Sequence, residues 1–175
     1  FRAAAAQFPQ LRCLSVAPRR FNHGLVRNEM AKLARAPLVA FFSQDALAQH
    51  GCLATLEAAL QDDEKLAGVY ARQVPRAGDD PLLRAQLQRW TPDGESSQIQ
   101  ELGTRNWSAL DPAEAMKLAR FDNVGSMLRR SLLADFPFPE VDFGEDILWG
   151  GTLLRAGYRL GYIPKASVEH SHEPR

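Results

Sequence analysis

Cysteine is scarce in this sequence, which holds only Cys13 and Cys52 among its 175 residues. The two cysteines stand in no metal-binding or redox spacing, so we expect reduced, partly buried thiols in a cytosolic protein. The sequence also has no excess of either charge, because 21 Lys and Arg residues balance 21 Asp and Glu residues. This balance gives no reason to expect a nucleic-acid partner. No apolar run approaches the roughly 18 residues that a membrane-spanning helix needs.

The remaining composition is that of an ordinary globular protein, with 45% hydrophobic and 24% charged residues. A chain of 175 residues is long enough for one sizeable core, so we predict a single domain over residues 1–175. The sequence contains no internal repeat and no low-complexity segment. It starts at Phe1 without an initiator methionine, and we expect it to be a segment of something longer.

The first half of the sequence alternates between helical and strand patterns. The continuous apolar run Leu38–Phe42 follows a proline and predicts a strand buried on both faces, as in parallel sheets. Apolar residues at helical spacing precede this run over residues 25–35 and follow it over residues 51–61. Residues 66–70 predict another short strand. This rhythm predicts an α/β sheet with helical crossovers.

The second half of the sequence contains a long loop and several shorter elements. Residues 90–104 show no clear pattern, and long loops inside compact domains are usually functional or mobile. A helix is predicted to begin at Pro112, behind the N-cap Asp111, and another over residues 144–156, ended by Gly157. Further predicted elements are a short helix after Asp80 and strands at residues 123–128, 158–162 and 166–169.

The polar segment Ser43-Gln44-Asp45-Ala46 closes the apolar run at residues 38–42. In open α/β sheets, ligands bind beyond the carboxyl ends of the strands, so Asp45 is placed where a ligand would lie. A carboxylate there can bind a divalent cation that itself bridges a diphosphate, and oxygen ligands suit Mg²⁺ or Mn²⁺. On local grounds the alternative, that Asp45 only caps the following turn, is better supported.

Glu145-Asp146 stands at the predicted start of a helix, where unpaired N–H groups and the helix dipole favour anions. Acidic residues at a helix start are common, which supports a purely structural role. The functional interpretation is that one carboxylate acts as a general base toward an acceptor hydroxyl. Trp149 follows one turn later, and its ring fits equally a sugar-binding wall or the hydrophobic core.

Two further clusters carry groups that could contact a ligand. His170 and His172 share one face of an extended segment, so both imidazoles could reach one cation or phosphate. Two surface histidines near a chain end are an equally good interpretation. A zinc site is poorly supported, because no cysteine or third histidine lies nearby. Arg27-Asn28 lies in the helix before the first strand and could border the same pocket as Asp45.

The order of these segments is more specific than any one of them. They are Phe21-Asn22-His23-Gly24, Arg27-Asn28, Ser43-Gln44-Asp45-Ala46, the run from Val69 to Arg76, Phe138-Pro139-Glu140, the run from Glu145 to Trp149, the run from Ala156 to Arg159, and Val168-Glu169-His170-Ser171-His172. In this order they resemble the family 2 glycosyltransferases, especially rhamnosyltransferase-like members of bacterial surface-polysaccharide pathways. The resemblance covers nearly the whole chain.

The resemblance implies a GT-A fold, which is a Rossmann-like mixed sheet flanked by helices. Nothing before Phe21 resembles the strand and acidic nucleotide-binding loop with which the family begins. We therefore expect an incomplete first half and a partial catalytic domain without much of the nucleobase pocket. Ser43 stands where the general motif has its first acid, which leaves metal binding to one carboxylate of that motif.

The resemblance also implies a role for each candidate residue. Asp146 matches the catalytic base, with Glu145 as its neighbour, and would deprotonate the acceptor hydroxyl for in-line attack with inversion. Asp45 would hold the cation on the donor diphosphate. The other implied roles are donor or nucleotide binding by Arg27, Asn28 and Gln44, sugar or acceptor contact by Arg72, Gln73 and Trp149, and metal contact by His170 and His172.

The function implied by the resemblance is an inverting glycosyltransferase that uses Mg²⁺ or Mn²⁺. Its donor would be a nucleotide-diphosphate sugar, with dTDP-rhamnose suggested by the subset, and its acceptor a glycan or a lipid-linked saccharide. The expected location is cytoplasmic, with peripheral association at the inner face of the membrane. Two alternatives are a non-catalytic remnant of this fold that binds glycans or proteins, and a zinc hydrolase built on His170 and His172.

Overall fold

The structure is a computed structural model that describes residues 7–8 and 10–170. Its helices are α1 (His23–Leu33), α2 (Cys52–Asp62), α3 (Pro81–Trp90), α4 (Pro112–Leu118), α5 (Leu132–Asp135) and α6 (Glu145–Arg155), with 3₁₀ turns at Pro18–Arg20 and Trp107–Ala109. Its strands are β1 (Leu38–Phe42), β2 (Ala46–Ala48), β3 (Leu66–Val74), β4 (Gln98–Gln100), β5 (Gly125–Arg129) and β6 (Arg159–His170). No helix in these ranges has the length and apolar character needed to cross a membrane.

The strands form one mixed six-stranded sheet in the order β1-β5-β3-β6-β2, with β4 also paired to β6. Strand β5 runs antiparallel to both β1 and β3, whereas β3 and β6 are parallel. Consequently β1, β3 and β6 all point the same way, and their carboxyl ends meet at one edge of the sheet. The predicted mixed sheet flanked by helices is confirmed, and this edge determines where the candidate site lies.

Apolar side chains cover both faces of the sheet. On one face, Leu56 and Leu60 of α2 belong to a buried cluster with Val69 of β3. On the other face, Trp149 of α6 belongs to a second cluster with Tyr70 of β3. Neighbouring residues of one strand point to opposite faces, so Val69 and Tyr70 join different clusters. The sheet is therefore the middle layer between two helical layers, which holds its polar edge rigidly.

Strand β1 is less buried than its apolar sequence predicts. Its residues are mostly half-buried, and Phe42 is exposed. Within the described residues, β1 pairs with β5 alone, and that pairing is antiparallel. The prediction of a strand buried on both faces in parallel pairing is therefore wrong. An apolar run reports hydrophobicity but not how many neighbours the strand has or in which direction they run.

The two strands predicted at residues 158–162 and 166–169 are one continuous strand, β6. Opposite β3, its register jumps from Ile163 to Ser167, so three residues bulge out of the pairing. Pro164 lies inside this bulge, where its missing N–H costs no ladder hydrogen bond. The bulge explains how one strand continues through the proline between the two predicted segments.

Several local predictions agree with the structure, and two do not. The side chain of Asp111 caps α4 by accepting from two backbone N–H groups, and Gly157 follows α6 with a φ of 88°. The predicted loop at residues 90–104 contains β4, which pairs with β6. Cys52 is buried, and this burial raises the pKa of its thiol, but Cys13 is exposed rather than partly buried.

Helix α6 approaches the backbone at Ala119 so closely that Gly150 has no room for a side chain. A Cβ at Gly150 would overlap the carbonyl oxygen of Ala119 and lie 3.0 Å from Leu160. We expect Gly150→Ala to destabilise the fold by about 2 kcal/mol, because the helix must shift away from backbone atoms. Thermal or urea unfolding measures this loss.

The neighbouring Gly151 offers a matched control for this prediction. A Cβ there would meet the ring of Trp107 at 3.2 Å, and this partly buried ring can shift. Because both substitutions gain the same helix propensity, the difference between Gly150→Ala and Gly151→Ala isolates the backbone contact. Equal stabilities of the two variants would contradict the close approach of α6 to Ala119.

Candidate functional site

Polar side chains gather at the edge where β1, β3 and β6 end and β5 begins. Asp45 follows β1, Gln73 lies near the end of β3, His170 is the last residue of β6, and Asp122 precedes β5. Gln73, Asp122 and His170 are all buried, with 7%, 6% and 5% of their surface exposed. Open α/β sheets bind ligands at this edge, and buried polar groups there require partners.

Asp45 lies in a tight turn between β1 and β2 and faces His170. The N–H of Ala46 donates to the carbonyl of Ser43, and Ala46 then pairs with His170 across the β2–β6 ladder. This pairing brings Asp45 Oδ1 within 3.4 Å of His170 Nε2. The turn and the site are therefore not alternatives, because the turn is what places the carboxylate opposite the imidazole.

Arg76 fixes the main chain of this turn from the side of β3. Its guanidinium donates to the backbone carbonyl of Asp45 at 2.9 Å, and its Nε lies 3.5 Å from a carboxylate oxygen of Glu169. The positively charged guanidinium of Arg76 therefore lies beside the Asp45–His170 pair. Such a group suits the binding of an anionic ligand at this edge.

Gln73 connects His170 to a buried carboxylate. The Nδ1 of His170 lies 2.7 Å from Gln73 Oε1, and Gln73 Nε2 donates to Asp122 Oδ2. Asp122 also accepts from the indole N–H of Trp90 at 2.8 Å and from the N–H of Val124 at 2.9 Å. A continuous chain of hydrogen bonds thus runs from His170 into the interior of the domain.

The Asp45–His170 pair fits a divalent cation bound together with a phosphate-bearing ligand. One carboxylate oxygen and one imidazole nitrogen suit Mn²⁺, and Mg²⁺ usually takes only one or two protein carboxylates beside substrate phosphates. Within residues 7–8 and 10–170, no cluster of three or more His, Cys, Asp or Glu side chains could hold a metal ion alone. His172, the third predicted metal ligand, lies outside the described residues.

Asp146 occupies the first turn of α6, beside the strand-end cluster. Its Oδ2 accepts from the N–H of Asn123 at 3.3 Å, and its Oδ1 accepts from the N–H of Ile147 at 2.9 Å. Burial, with a contribution from the carboxylates of Glu145 and Asp122, raises the pKa of Asp146 from 3.8 to about 6. A carboxylate with a pKa just below neutral suits a general base at physiological pH.

Glu145 is an ion-pair partner rather than an accessible carboxylate. Its side chain is buried, 8% exposed, and pairs with the guanidinium of Arg27, which is 16% exposed. The pair ties the start of α6 to α1, whose residues are more than 100 positions away in the chain. These contacts favour a structural role for Glu145 and Arg27, whereas their implied catalytic and nucleotide-binding roles stay predictions.

The contacts of Asn28 favour a structural role, and its implied donor-binding role stays a prediction. Its Nδ2 donates to the carbonyl of Phe138 at 2.9 Å, and its Oδ1 accepts from the N–H of Phe138 at 3.0 Å. The amide nitrogen and the amide oxygen of Asn28 are therefore both hydrogen-bonded to the backbone of Phe138, as one strand residue is to its partner. The rigid Phe136–Pro139 segment needs this partner because it has no strand neighbour to satisfy Phe138.

The burial of Trp149 favours the core interpretation over a sugar contact. Only 1% of its surface is exposed, and its ring packs against Phe121 and Phe138 at centroid distances of 4.9 and 5.0 Å. Its indole N–H donates to the carbonyl of Phe136 at 2.8 Å. The core interpretation is therefore correct, because no surface of the ring is left for a ligand.

The remaining predicted contacts are at the rim of the site. Gln44 is exposed in the Asp45 turn. Arg72 is partly exposed on β3, with 25% of its side chain accessible, and pairs with Asp93 of the long loop. Gln73 is buried and bonded at both ends of its amide, which argues against direct contact with a sugar. The implied sugar-binding role of Arg72 and the implied donor-binding role of Gln44 stay predictions.

Sequence reasoning missed Asp122, Asn123 and Arg76. Asp122 accepts three hydrogen bonds, and the buried Asn123 holds Asp146 through its N–H and Ser126 through its Oδ1. The only signal in the sequence is a polar pair directly before an apolar strand, which resembles an ordinary turn. Arg76 lies within the segment that carried the resemblance but had no assigned role.

Known proteins that are similar to this chain are glycosyltransferases. No family model matches the sequence. The O-antigen chain rhamnosyltransferase WbaN of Salmonella anatum is 26% identical over 162 residues, which are 90% of this chain and 48% of the relative. The O-antigen chain rhamnosyltransferase RfbN of Salmonella typhimurium is 25% identical over 174 residues, which are 96% of this chain and 52% of the relative. The chain thus spans about half the length of the curated relatives it matches.

Solved structures give the same fold. The mannosyltransferase PcManGT from Pyrobaculum calidifontis, in complex with GDP-Man and Mn²⁺, superposes with a TM-score of 0.66 at 18% identity, over 99% of this chain and 44% of the neighbour. GalNAc-T7 with UDP, GalNAc and Mn²⁺ gives a TM-score of 0.63 at 14% identity, over 99% of this chain and 34% of the neighbour.

Proposed function

We propose that this chain is the metal- and acceptor-binding part of an inverting glycosyltransferase. The proposal builds on its GT-A fold and on its similarity to rhamnosyltransferase-like proteins, both of which were expected from the sequence and are confirmed by these comparisons. Asp45 and His170 would hold a divalent cation that neutralises the donor diphosphate, and Asp146 would be the base for the acceptor. The donor is a nucleotide-diphosphate sugar, with rhamnose as the first sugar to test. The acceptor is a glycan or a lipid-linked saccharide of surface-polysaccharide synthesis.

One observation carries the proposal: the candidate base and the candidate metal pair belong to one connected polar cluster. His170 bonds to Gln73, Gln73 to Asp122, and Asn123, the next residue, donates to Asp146. A transferase of this kind needs a cation at the leaving group and a base on the opposite side of the sugar. The hydrogen bonds of Asp146 and of His170, through Gln73, both lead to the same short segment, residues 122–123, which supports the proposal.

The reaction proceeds in a single displacement. The carboxylate of Asp146 takes the proton of the acceptor hydroxyl as its oxygen attacks the anomeric carbon of the donor sugar. The bond between that carbon and the diphosphate oxygen breaks, and the diphosphate leaves with the electron pair. Attack opposite the leaving group inverts the anomeric configuration. The pKa of about 6 leaves Asp146 mostly ionised at neutral pH, as a base must be.

A bound Mg²⁺ or Mn²⁺ would neutralise the negative charge that develops on the leaving diphosphate. The chain's own contribution is to orient Asp45 and His170 and to place Arg76 beside them. The base needs no metal, since Asp146 is held by backbone N–H groups. The expected cytoplasmic location at the inner face of the membrane stays a prediction.

Metal-dependent nucleotide binding tests the donor half of this proposal. We expect Asp45→Asn to weaken the affinity for a nucleoside diphosphate with Mn²⁺ by at least about tenfold, because it removes the only carboxylate facing His170 Nε2 within hydrogen-bonding range in the described part of the chain. Calorimetry of the purified protein with dTDP, UDP and GDP, each with Mn²⁺ or with EDTA, measures the effect.

A control and a transfer assay complete this test. Asp62 is exposed at the end of α2, at the opposite edge of the sheet, so Asp62→Asn should bind nucleotide like the wild type. Binding that neither EDTA nor Asp45→Asn reduces would refute the donor-site assignment. Metal-dependent binding without any sugar transfer to a lipid-linked acceptor would favour the non-catalytic alternative.

A further inference from the structure

The buried amide of Gln73 has only one orientation that satisfies its neighbours. Asp122 accepts from Trp90 and Val124 and offers only acceptor oxygens to Gln73 when ionised. The amide nitrogen of Gln73 must therefore face Asp122, which leaves its carbonyl oxygen facing His170. The amide orientation thus follows from the fixed donors around Asp122.

This orientation determines the tautomer of His170. A carbonyl oxygen can only accept, so the hydrogen bond of 2.7 Å between Gln73 Oε1 and His170 Nδ1 requires the proton on Nδ1. In the neutral imidazole the other nitrogen, Nε2, then carries a lone pair. That lone pair is directed toward the side of Asp45, whose Oδ1 lies 3.4 Å away.

We propose that Gln73 is a positioning residue that holds His170 in the Nδ1–H tautomer and so prepares Nε2 as a metal ligand. The inference rests on the metal assignment in the proposed function and extends it to a side chain that contacts neither donor nor cation. Ligating histidines in metalloproteins commonly donate their second N–H to such a partner, which sets ring orientation and ligand basicity. Here the partner is an amide, and Asp122 anchors the amide in turn.

The burial of this chain of groups supports a positioning role over direct substrate contact. Gln73 is 7% exposed and Asp122 is 6% exposed, so neither presents its side chain to a sugar. The N–H of Gln73 is also held, by the hydroxyl of Thr91 at 3.1 Å, which ties the backbone of β3 to the end of α3. The amide is therefore fixed at its backbone and at both side-chain ends.

Gln73→Met tests the inference, because methionine has a similar length and offers no comparable acceptor to Nδ1. We expect the affinity for Mn²⁺ with dTDP to fall by about tenfold to a hundredfold, as for other partners of ligating histidines. We also expect the ¹⁵N shifts of His170 in the metal-free protein to move from the Nδ1–H pattern toward a mixture of tautomers. Calorimetry and ¹⁵N NMR near pH 8 measure the two effects.

Gln100→Met is the matched control for this experiment. Gln100 lies on β4 and donates from its amide to the carbonyls of Leu118 and Arg120, so its loss also removes two side-chain hydrogen bonds. On β6 it pairs with Leu160, ten residues before His170, so Gln100→Met should leave both the metal affinity and the ¹⁵N shifts of His170 unchanged.

The possible results separate this inference from the function it builds on. Wild-type affinity and an unchanged tautomer in Gln73→Met would overturn the role of Gln73. If the wild type binds no Mn²⁺ with any nucleotide, the proposed function fails, while the NMR result still decides the tautomer. If Gln73→Met does not fold, a wild-type His170 with its proton on Nε2 overturns the inference by itself.

Discussion

Replacing Asp146 by asparagine is expected to lower the rate of sugar transfer by about 10²–10⁴-fold while leaving the affinity for the donor nearly unchanged. The amide cannot take the proton of the acceptor hydroxyl, so the contribution of a general base is lost. In the proposed function donor binding rests on Asp45 and His170, whereas the carboxylate of Asp146 accepts from the N–H groups of Asn123 and Ile147. Single-turnover transfer assays and nucleotide calorimetry on the same variant measure the two quantities.

The same variant is expected to show a characteristic dependence of stability on pH. Because the pKa of Asp146 is raised from 3.8 to about 6, the folded state binds this proton more tightly than the unfolded state does. The wild type therefore carries a stabilising contribution below pH 3.8 that is lost as the pH rises through 6. Asp146→Asn has no such group, so its stability relative to the wild type should improve by about 2 kcal/mol between pH 4 and pH 7.

Asp142→Asn is the control for both effects. Asp142 is exposed and lies four residues before Asp146, so its replacement should change neither transfer nor the pH dependence of stability. Transfer by the wild type should also rise with pH through an apparent pKa near 6. Full transfer activity in Asp146→Asn would show that another group is the base, whatever the stability measurements give.

Replacing Arg27 by methionine is expected to destabilise the fold by about 3 kcal/mol. The change leaves the carboxylate of Glu145, which is 8% exposed, without its partner in the interior. Urea unfolding at pH 7 measures the loss. Arg35→Met, at an exposed arginine beyond the end of α1, should have no comparable effect.

A double variant distinguishes the structural role of Arg27 from the implied nucleotide-binding role. In Arg27→Met with Glu145→Gln, no charge is left unpaired, so we expect most of the lost stability to return. If Arg27 instead contacts the donor, the single variant should lose nucleotide affinity with little loss of stability. That second pattern would disprove the ion pair as the main role of Arg27.

Local signals predicted the elements of this fold well. The N-cap Asp111, the glycine that ends α6 and the apolar spacing of α2 each act over a few residues, and the structure has a helix end or helix at each. The position of Asp45 past the end of β1 was predictable for the same reason. Neighbouring residues decide such features, so a single sequence reports them.

Long-range contacts explain where the structure departs from what the sequence suggested or left open. Asn28 forms a hydrogen bond with Phe138, which is 110 residues away, and no property of Arg27-Asn28 predicts this partner. From the sequence, Trp149 fitted a sugar-binding wall and the core equally well. The packing of Phe121 and Phe138 against its ring supports the core. The exposure of β1 follows from its place in the order of strands. Each outcome depends on which distant elements become neighbours.

The order of motifs along the chain was therefore enough for the fold class and for the resemblance to glycosyltransferases. It was also enough to single out Asp45, Asp146 and His170, because strand ends and helix starts are local features. Only the tertiary structure joined them, through Gln73, for which the resemblance implied a sugar or acceptor contact, and through Asp122, which the sequence presents as an ordinary turn residue. The physical reason is burial: a polar side chain enclosed by residues 49 and 97 positions away must bond to whatever the packing places beside it.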